Sequence, residues 1–426
     1  MKSSTTSIPE RVELFGLCAL AVILPNLESP KYFALALFAG GAFFGWLSKK
    51  PLKWKKPDAL EWLLIAMWGI TLASTLANWP LPNGTKGLRG QTFLLLLFWI
   101  MYRRQHNFHQ MRWFVYAVVA GVVIGLPWGF WEWRTGIRSE FEFHSAGVVT
   151  QSSIYLGITI IVMVSLLLDK VSGFTPKTRL VVSLCLLLSL AGLTLMGSRG
   201  AILGMLLTVL ALAPVFFRHR KFWIAAAVSL LLMVLIAVGV RLFTDSYDLE
   251  RRLTHLTSNV GPNGLKLDER GDQNDLFRLD HWKVGYAQAT QGGNWLLGIG
   301  PMNFISVKVD ELRFSSPLAT YPTIWQKPHH AHNLFLTKWA EEGLLGLLAF
   351  LLFLGWILKE LIVHRPGQAN MNWSWVAALG ALVVPVVAGS FNCSFANEFA
   401  WLSMLLMGHT MGVLRGTRVS NTPLRV

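Results

Sequence analysis

Three histidines fall within four residues at the mouth of a long apolar run. They are His329, His330 and His332 in Pro328-His329-His330-Ala331-His332-Asn333, ahead of Leu334 to Val363. An imidazole at the start of a helix feels the positive end of the helix dipole, which favours the neutral ring. A neutral imidazole can take a proton from a hydroxyl, so the cluster offers a general base. Two other readings stand beside that one. His330 and His332 could hold zinc, although neither a Cys nor a third His lies nearby at ligand spacing. Asn333 could simply cap the helix.

Other polar groups carry further chemistry. Arg199 lies in Met196-Gly197-Ser198-Arg199-Gly200, a minimal connection between two apolar segments. An arginine beside hydrocarbon needs a partner, or snorkels to the headgroups. Its guanidinium fork suits phosphate oxygens, and the flanking glycines leave room for a bulky anion. Arg278 and Trp282 are four residues apart, hence on one face of a helix. They read equally as a cation–π staple and as part of a substrate site. Glu341 and Glu342 point to different sides of the helix that carries them. Gly343 and Gly346 read as close-packing positions, with Glu342 in a supporting role.

The elements that must position these groups are membrane helices. Hydrophobic residues make up 53% of the chain and charged residues 14%, with 19 Trp and 26 Phe. That is the composition of a polytopic membrane protein with aromatic interface anchors. About twelve apolar segments are long enough to cross a core that takes roughly 20 helical residues. They centre near Ala19, Gly40, Met67, Leu96, Val119, Ile160, Leu187, Leu206, Leu231, Ala349, Val383 and Leu405. The first lacks a basic leader and a small-residue cleavage site, so it reads as a span and not as a signal peptide.

Alternate loops differ in charge. Lys49 to Lys56, Arg103 to Arg112, Lys170 to Arg179, Arg218 to Lys221, Lys359 to Arg365 and the tail are basic. The positive-inside rule makes that side cytoplasmic and puts both termini there. The net charge of +15 is therefore topogenic, and its dispersal between spans argues against nucleic-acid binding. Cys18, Cys185 and Cys393 lie in or beside apolar segments without metal or disulfide spacing.

The division that follows is residues 1–242 as spans, 243–331 as one large external loop, and 332–426 as the last three spans and the tail. A loop of that length is commonly functional. Within it, Gly261-Pro262-Asn263-Gly264 predicts a turn and Asn274 to Gln291 an amphipathic helix ended by Gly292-Gly293. Tyr321-Pro322 and Lys327-Pro328 keep the approach to the histidines extended.

Three blocks together resemble the bacterial O-antigen ligase and O-antigen polymerase superfamily. The first is Gly197-Ser198-Arg199-Gly200-Ala201. The second is Arg278 with Trp282 and the turn Gly298-Ile299-Gly300. The third is His332-Asn333-Leu334-Phe335-Leu336 with Glu342-Gly343-Leu344-Leu345-Gly346. The resemblance implies an all-α polytopic fold similar to type C glycosyltransferases and an active site on the periplasmic face of the bacterial inner membrane. It implies transfer of a glycan from undecaprenyl diphosphate to an acceptor hydroxyl, with inversion and without a metal or other cofactor. In a ligase the acceptor is the lipid A–core of lipopolysaccharide. The residues implied are Arg199 and Arg278 at the diphosphate and His332 as the base, with His330 able to take that role or to contact the diphosphate. Trp282, Asn333 and Glu342 are candidates for substrate contact or support. Arg138 and Arg89, with Lys86, are external cations that could meet the acidic acceptor.

One large external loop favours the ligase over the polymerase, whose members often carry two. The chain ending after its last span fits a ligase better than protein-glycosylating relatives with a soluble C-terminal domain. A transporter or flippase is the alternative of a different class. Such folds place ionisable groups near the midplane and show paired repeats, whereas here these groups cluster at the outer surface.

Overall fold

The computed structural model describes residues 7–48, 56–104, 108–171, 173–216, 260–261, 264–265, 269–292, 294–312, 329–367, 370–391 and 395–420. The expected span near Leu231, the basic residues Arg218 to Lys221, Cys393 and the Tyr321-Pro322 and Lys327-Pro328 pairs lie outside them.

The chain is helical nearly throughout these residues. The helices are α1 (Ile8–Ile23), α2 (Pro30–Leu47), α3 (Ala59–Ala77), α4 (Gly84–Arg104), α5 (Phe108–Arg134), α6 (Val149–Leu168), α7 (Pro176–Met196) and α8 (Arg199–Phe216). After the gap come α9 (Glu269–Gln291), α10 (Leu334–Val363), α11 (Trp373–Gly389) and α12 (Asn397–Ser420). Two-residue strands pair Val260 with Leu265 and Gly261 with Gly264, flanking the predicted turn. Among the described residues five helices are long and apolar enough to cross a membrane: Ala59–Ala77, Met111–Arg134, Val149–Leu168, Pro176–Met196 and Leu334–Val363. These features are those of a polytopic membrane protein.

The packing has the membrane pattern, with apolar side chains inside and out. Phe38, Phe98, Phe114, Tyr155, Phe353, Trp373 and Phe399 are fully buried. Leu180, Leu184, Leu352 and Ile362 are exposed, as a surface facing lipid tails permits. α6 and α11 form the centre. α6 packs on α7, α8, α11 and α12, and α11 also packs on α8, α10 and α12. α1 pairs with α2 and α5, α4 with α3 and α12, and α10 with α3 and α9.

One end of the bundle is held by ions. The Arg103 guanidinium forks onto Glu61, its Nη2 reaching Oε2 at 2.7 Å, while Trp99 Nε1 donates to Glu61 Oε1 at 2.9 Å. Arg415 approaches Asp58 and Glu61 at 3.3 and 3.4 Å, and Arg104 pairs with Glu13. Glu13 and Glu61 are buried but paired, which is the condition under which a low-dielectric interior tolerates them. Arg103 and Arg104, expected as loop charges, therefore also tie α3 and α1 to the end of α4, and Arg415 brings α12 to the α3 carboxylates.

The other end carries α9, the turn 294–300 and a break in α10. A single helix from Leu334 to Val363 is expected, but Gly343 has φ +70° and ψ −173°, so two helices meet there. The segment after the break, from Leu344 on, is by itself about 20 residues, the length of a membrane core. The segment before it holds Asn333 at its start and stands outside that length. A break strands main-chain groups that hydrocarbon cannot satisfy. Here residues 294–300 satisfy them. Ile299 N and Gly300 N donate to Ala340 O and Glu341 O at 3.1 and 2.8 Å, and Leu344 N and Leu345 N donate to Trp295 O and Leu296 O at 2.9 and 3.3 Å. α3 locks the turn from the far side: Ser74 Oγ donates to Leu297 O at 2.5 Å and Asn78 Nδ2 to Gly298 O at 3.0 Å. A Cβ at Gly343 would meet the Leu296 carbonyl, and its φ is one that L residues rarely adopt.

Candidate functional site

The segment of α10 before the break begins with a fixed cap. Asn333 Oδ1 accepts from Phe335 N and Leu336 N at 2.9 and 3.0 Å. Its Nδ2 donates to Ser390 O, just past the end of α11, at 2.8 Å. Asn333 is therefore both a helix cap and a tie to α11, which agrees with its capping reading. Gly389 packs on Leu334, and Gly200 packs on Ala388. The end of α11 thus links the start of α10 to the start of α8, where Arg199 lies.

His332 precedes the cap in an uncommon backbone state, with φ +50°. Few non-glycine residues adopt it, and it costs about 1–2 kcal/mol. Both ends of the residue are held by side chains. His332 N donates to His330 Nδ1 at 3.0 Å, and Trp282 Nε1 donates to His332 O at 3.1 Å.

α9 supplies the wall. Gly285 sits against Ala331, where a Cβ would come within 2.7 Å of the alanine methyl. This contact brings the α9 face bearing Arg278, His281 and Trp282 onto the His330–Asn333 segment. His281 is buried, and its ring meets that of His332 edge to face with centroids 4.8 Å apart. The rings of His330 and His332 are 4.3 Å apart. Burial, then the nearby His281 and His329, hold His330 at about 4, below its ordinary value, so its ring is neutral. Among the described residues no three His, Cys, Asp or Glu side chains group as a metal site.

The structure brings His332, His330, Trp282 and Asn333 together. Arg278 is half-buried on α9, one turn before Trp282. Arg199 is at the same end of the bundle, exposed as the first residue of α8, and no ion pair or hydrogen bond joins it to another group among the described residues.

Three candidates stand apart. Arg138 is engaged: Nε reaches Glu132 at 3.1 Å, Nη1 pairs with Glu142, and Nη2 donates to His144 O at 2.7 Å. Arg89 is exposed on α4. Glu342 is buried beneath the break, where Lys338 Nζ lies at 2.5 Å and Thr71 Oγ1 donates at 3.1 Å. That arrangement is a support for α10 against α3. His281 escapes a reading of the apolar pattern of α9, although its position three residues after Arg278 puts it on the Arg278–Trp282 face.

No curated protein matches this chain. A family described as O-antigen ligase matches it over residues 184–351, from within α7 through the break in α10, a segment that contains Arg199, Arg278, His281, Trp282, His330 and His332. Over that segment the chain is similar to the O-antigen ligase family.

Proposed function

We propose that the chain is an O-antigen ligase of the bacterial inner membrane, with its site on the periplasmic face and both termini in the cytoplasm. The donor is an undecaprenyl-diphosphate-linked glycan and the acceptor a sugar hydroxyl of the lipid A–core. The observation that carries this reading is an exposed arginine, Arg199, at the same end of the bundle as a histidine whose backbone is pinned on both sides.

In this mechanism His332 takes the proton of the acceptor hydroxyl. The acceptor oxygen attacks the anomeric carbon from the face opposite the diphosphate and forms the new glycosidic bond. The bond from that carbon to the diphosphate oxygen breaks, and its electron pair leaves on the diphosphate. The configuration inverts. Arg199 and Arg278 meet the charge that grows on the leaving group, the point at which fixed cations are most effective. The start of α10 contributes its dipole, which keeps the base neutral before it acts.

The test is transfer by purified protein in nanodiscs, supplied with undecaprenyl-diphosphate-linked O-antigen and rough lipopolysaccharide. A ladder on the lipid A–core that requires both substrates is the expected result. Lengthening of lipid-linked chains without lipopolysaccharide would make the protein a polymerase. Passage of lipid-linked glycan across the bilayer with no new bond would make it a transporter.

A further inference from the structure

His330 has its own geometry, distinct from that of a second base. A main-chain N–H is always a donor, so the bond from His332 N makes His330 Nδ1 an acceptor. In a neutral ring the proton then resides on Nε2. For Nε2 to accept a proton from substrate or to bind a metal, the ring would have to hold its proton on Nδ1, against the His332 N–H. The spacing is also informative. A side chain that accepts from the main chain two residues ahead is the arrangement of an Asx turn, which asparagine and aspartate make with ease. His330 makes it with an imidazole, and the residue it holds is in the left-handed region.

We infer that His330 is a positioning residue that acts through the main chain of His332: its Nδ1 fastens the amide of His332 while Trp282 Nε1 fastens the carbonyl, and the two together hold the His332 ring at the acceptor hydroxyl. The inference rests on the reading of His332 as base. It assigns Trp282 to the same lock. The backbone conformation of His332 is intrinsically unfavourable, so it persists only where surrounding bonds over-determine it. Three such bonds are present within two residues: one to His332 N, one to His332 O, and the cap at Asn333.

Two isosteres separate the nitrogens of His330. H330N places an amide oxygen where Nδ1 stands and removes everything at Nε2. H330Q places a polar group near Nε2 and removes the near acceptor. The expected result is that H330N keeps transfer within about threefold of the parent, whereas H330Q and H330A lose about 100-fold in kcat with KM little changed, the order of loss that follows from misplacing a reacting group by an ångström. Activity in H330Q with loss in H330N would assign the work to Nε2 and overturn the inference. Equal activity in all three, or equal loss in all three with melting unchanged, would overturn it as well.

A second measurement does not depend on what the protein transfers. Nitrogen NMR of imidazole-labelled protein in nanodiscs, without substrate, reads the tautomer, with the His330 signal assigned by its absence in H330N. An unprotonated Nδ1 and a protonated Nε2 are expected, and a proton on Nδ1 would overturn the lock. If the parent protein makes no glycosidic bond, the ligase reading fails and the nitrogen spectrum alone decides the lock.

Discussion

The edge of one imidazole rests on the face of another where α9 meets the start of α10: His281 and His332 cross at 86° with ring centroids 4.8 Å apart. His281 is buried, so the contact is a fixed wall on one side of the candidate base. Aromatic pairs of this geometry contribute on the order of 1 kcal/mol beyond area burial. The pair therefore joins α9 to the start of α10 and orients the His332 ring.

Removing that wall should loosen His332 and leave the membrane bundle intact. His281→Ala is expected to lower transfer by about tenfold or more, since catalytic geometry is intolerant of small displacements. His281→Phe keeps an aromatic edge and should retain most of the activity. The check is a kinetic comparison of the two at equal expression and melting temperature. Parent-like rates in the alanine protein would show the contact to be incidental.

Arg199 should matter by its fork as well as by its charge. Arg199→Ala is expected to lose about 100-fold or more in transfer, as loss of a leaving-group stabiliser does. Arg199→Lys keeps a cation but loses the two-point grip on phosphate oxygens, so recovery should be partial. Arg199 is exposed, and membrane insertion of both variants should be normal, as measured by size-exclusion profile. Full transfer by the alanine protein would remove Arg199 from the diphosphate.

The pH dependence of stability has a definite sign. His330 is held at about 4, below its ordinary 6.5, first by burial and then by His281 and His329. Its unfolded form binds a proton at a pH where the folded form does not. Stability from this group is therefore present above about 6.5 and is lost as pH falls from there towards about 4. Thermal melting between those limits should be steeper in the parent than in H330N, which has no imidazole at that position. Identical pH profiles would mean that the burial of His330 does not bear on folding.

Gly343→Ala tests the break in α10. The residue has φ +70°, and a Cβ would press on the Leu296 carbonyl, so the turn 294–300 must move away. A strained position of this kind costs about 1–3 kcal/mol. The expected signs are a lower melting temperature and faster proteolysis near residues 294–300. An unaltered cleavage pattern would mean that loop and helix do not depend on this junction.

Much of the architecture was legible in the sequence, for physical reasons. Long apolar runs leave helices as the economical structure in a membrane, and the helix positions α1–α8 and α10–α12 coincide with eleven of the expected segments. Asn333 was legible as a cap because its residue type and place before an apolar run suffice. The break at Gly343 was not. Gly343-Leu344-Leu345-Gly346 reads as continuous apolar helix, and the groups that compensate the break come from residues 294–300, remote in sequence. The engagement of Arg138 was partly legible, since Glu142 is four residues on, but Glu132 and the His144 carbonyl come together only when the connection folds back on α5.

The break in α10 also sets an order of assembly. The turn 294–300 leaves the ribosome before Leu334–Val363 and carries polar main-chain groups that only the later helix pairs. Its other partners, Ser74 and Asn78, are more than two hundred positions upstream, as in the Asn78–Gly298 bond with a separation of 220. Contacts so distant along the chain close late in folding. The junction thus cannot form until α3, the loop and α10 are all in place. The histidines stand just beyond that junction, so a partly inserted chain holds no finished histidine cluster, and the candidate site is the product of completed membrane insertion.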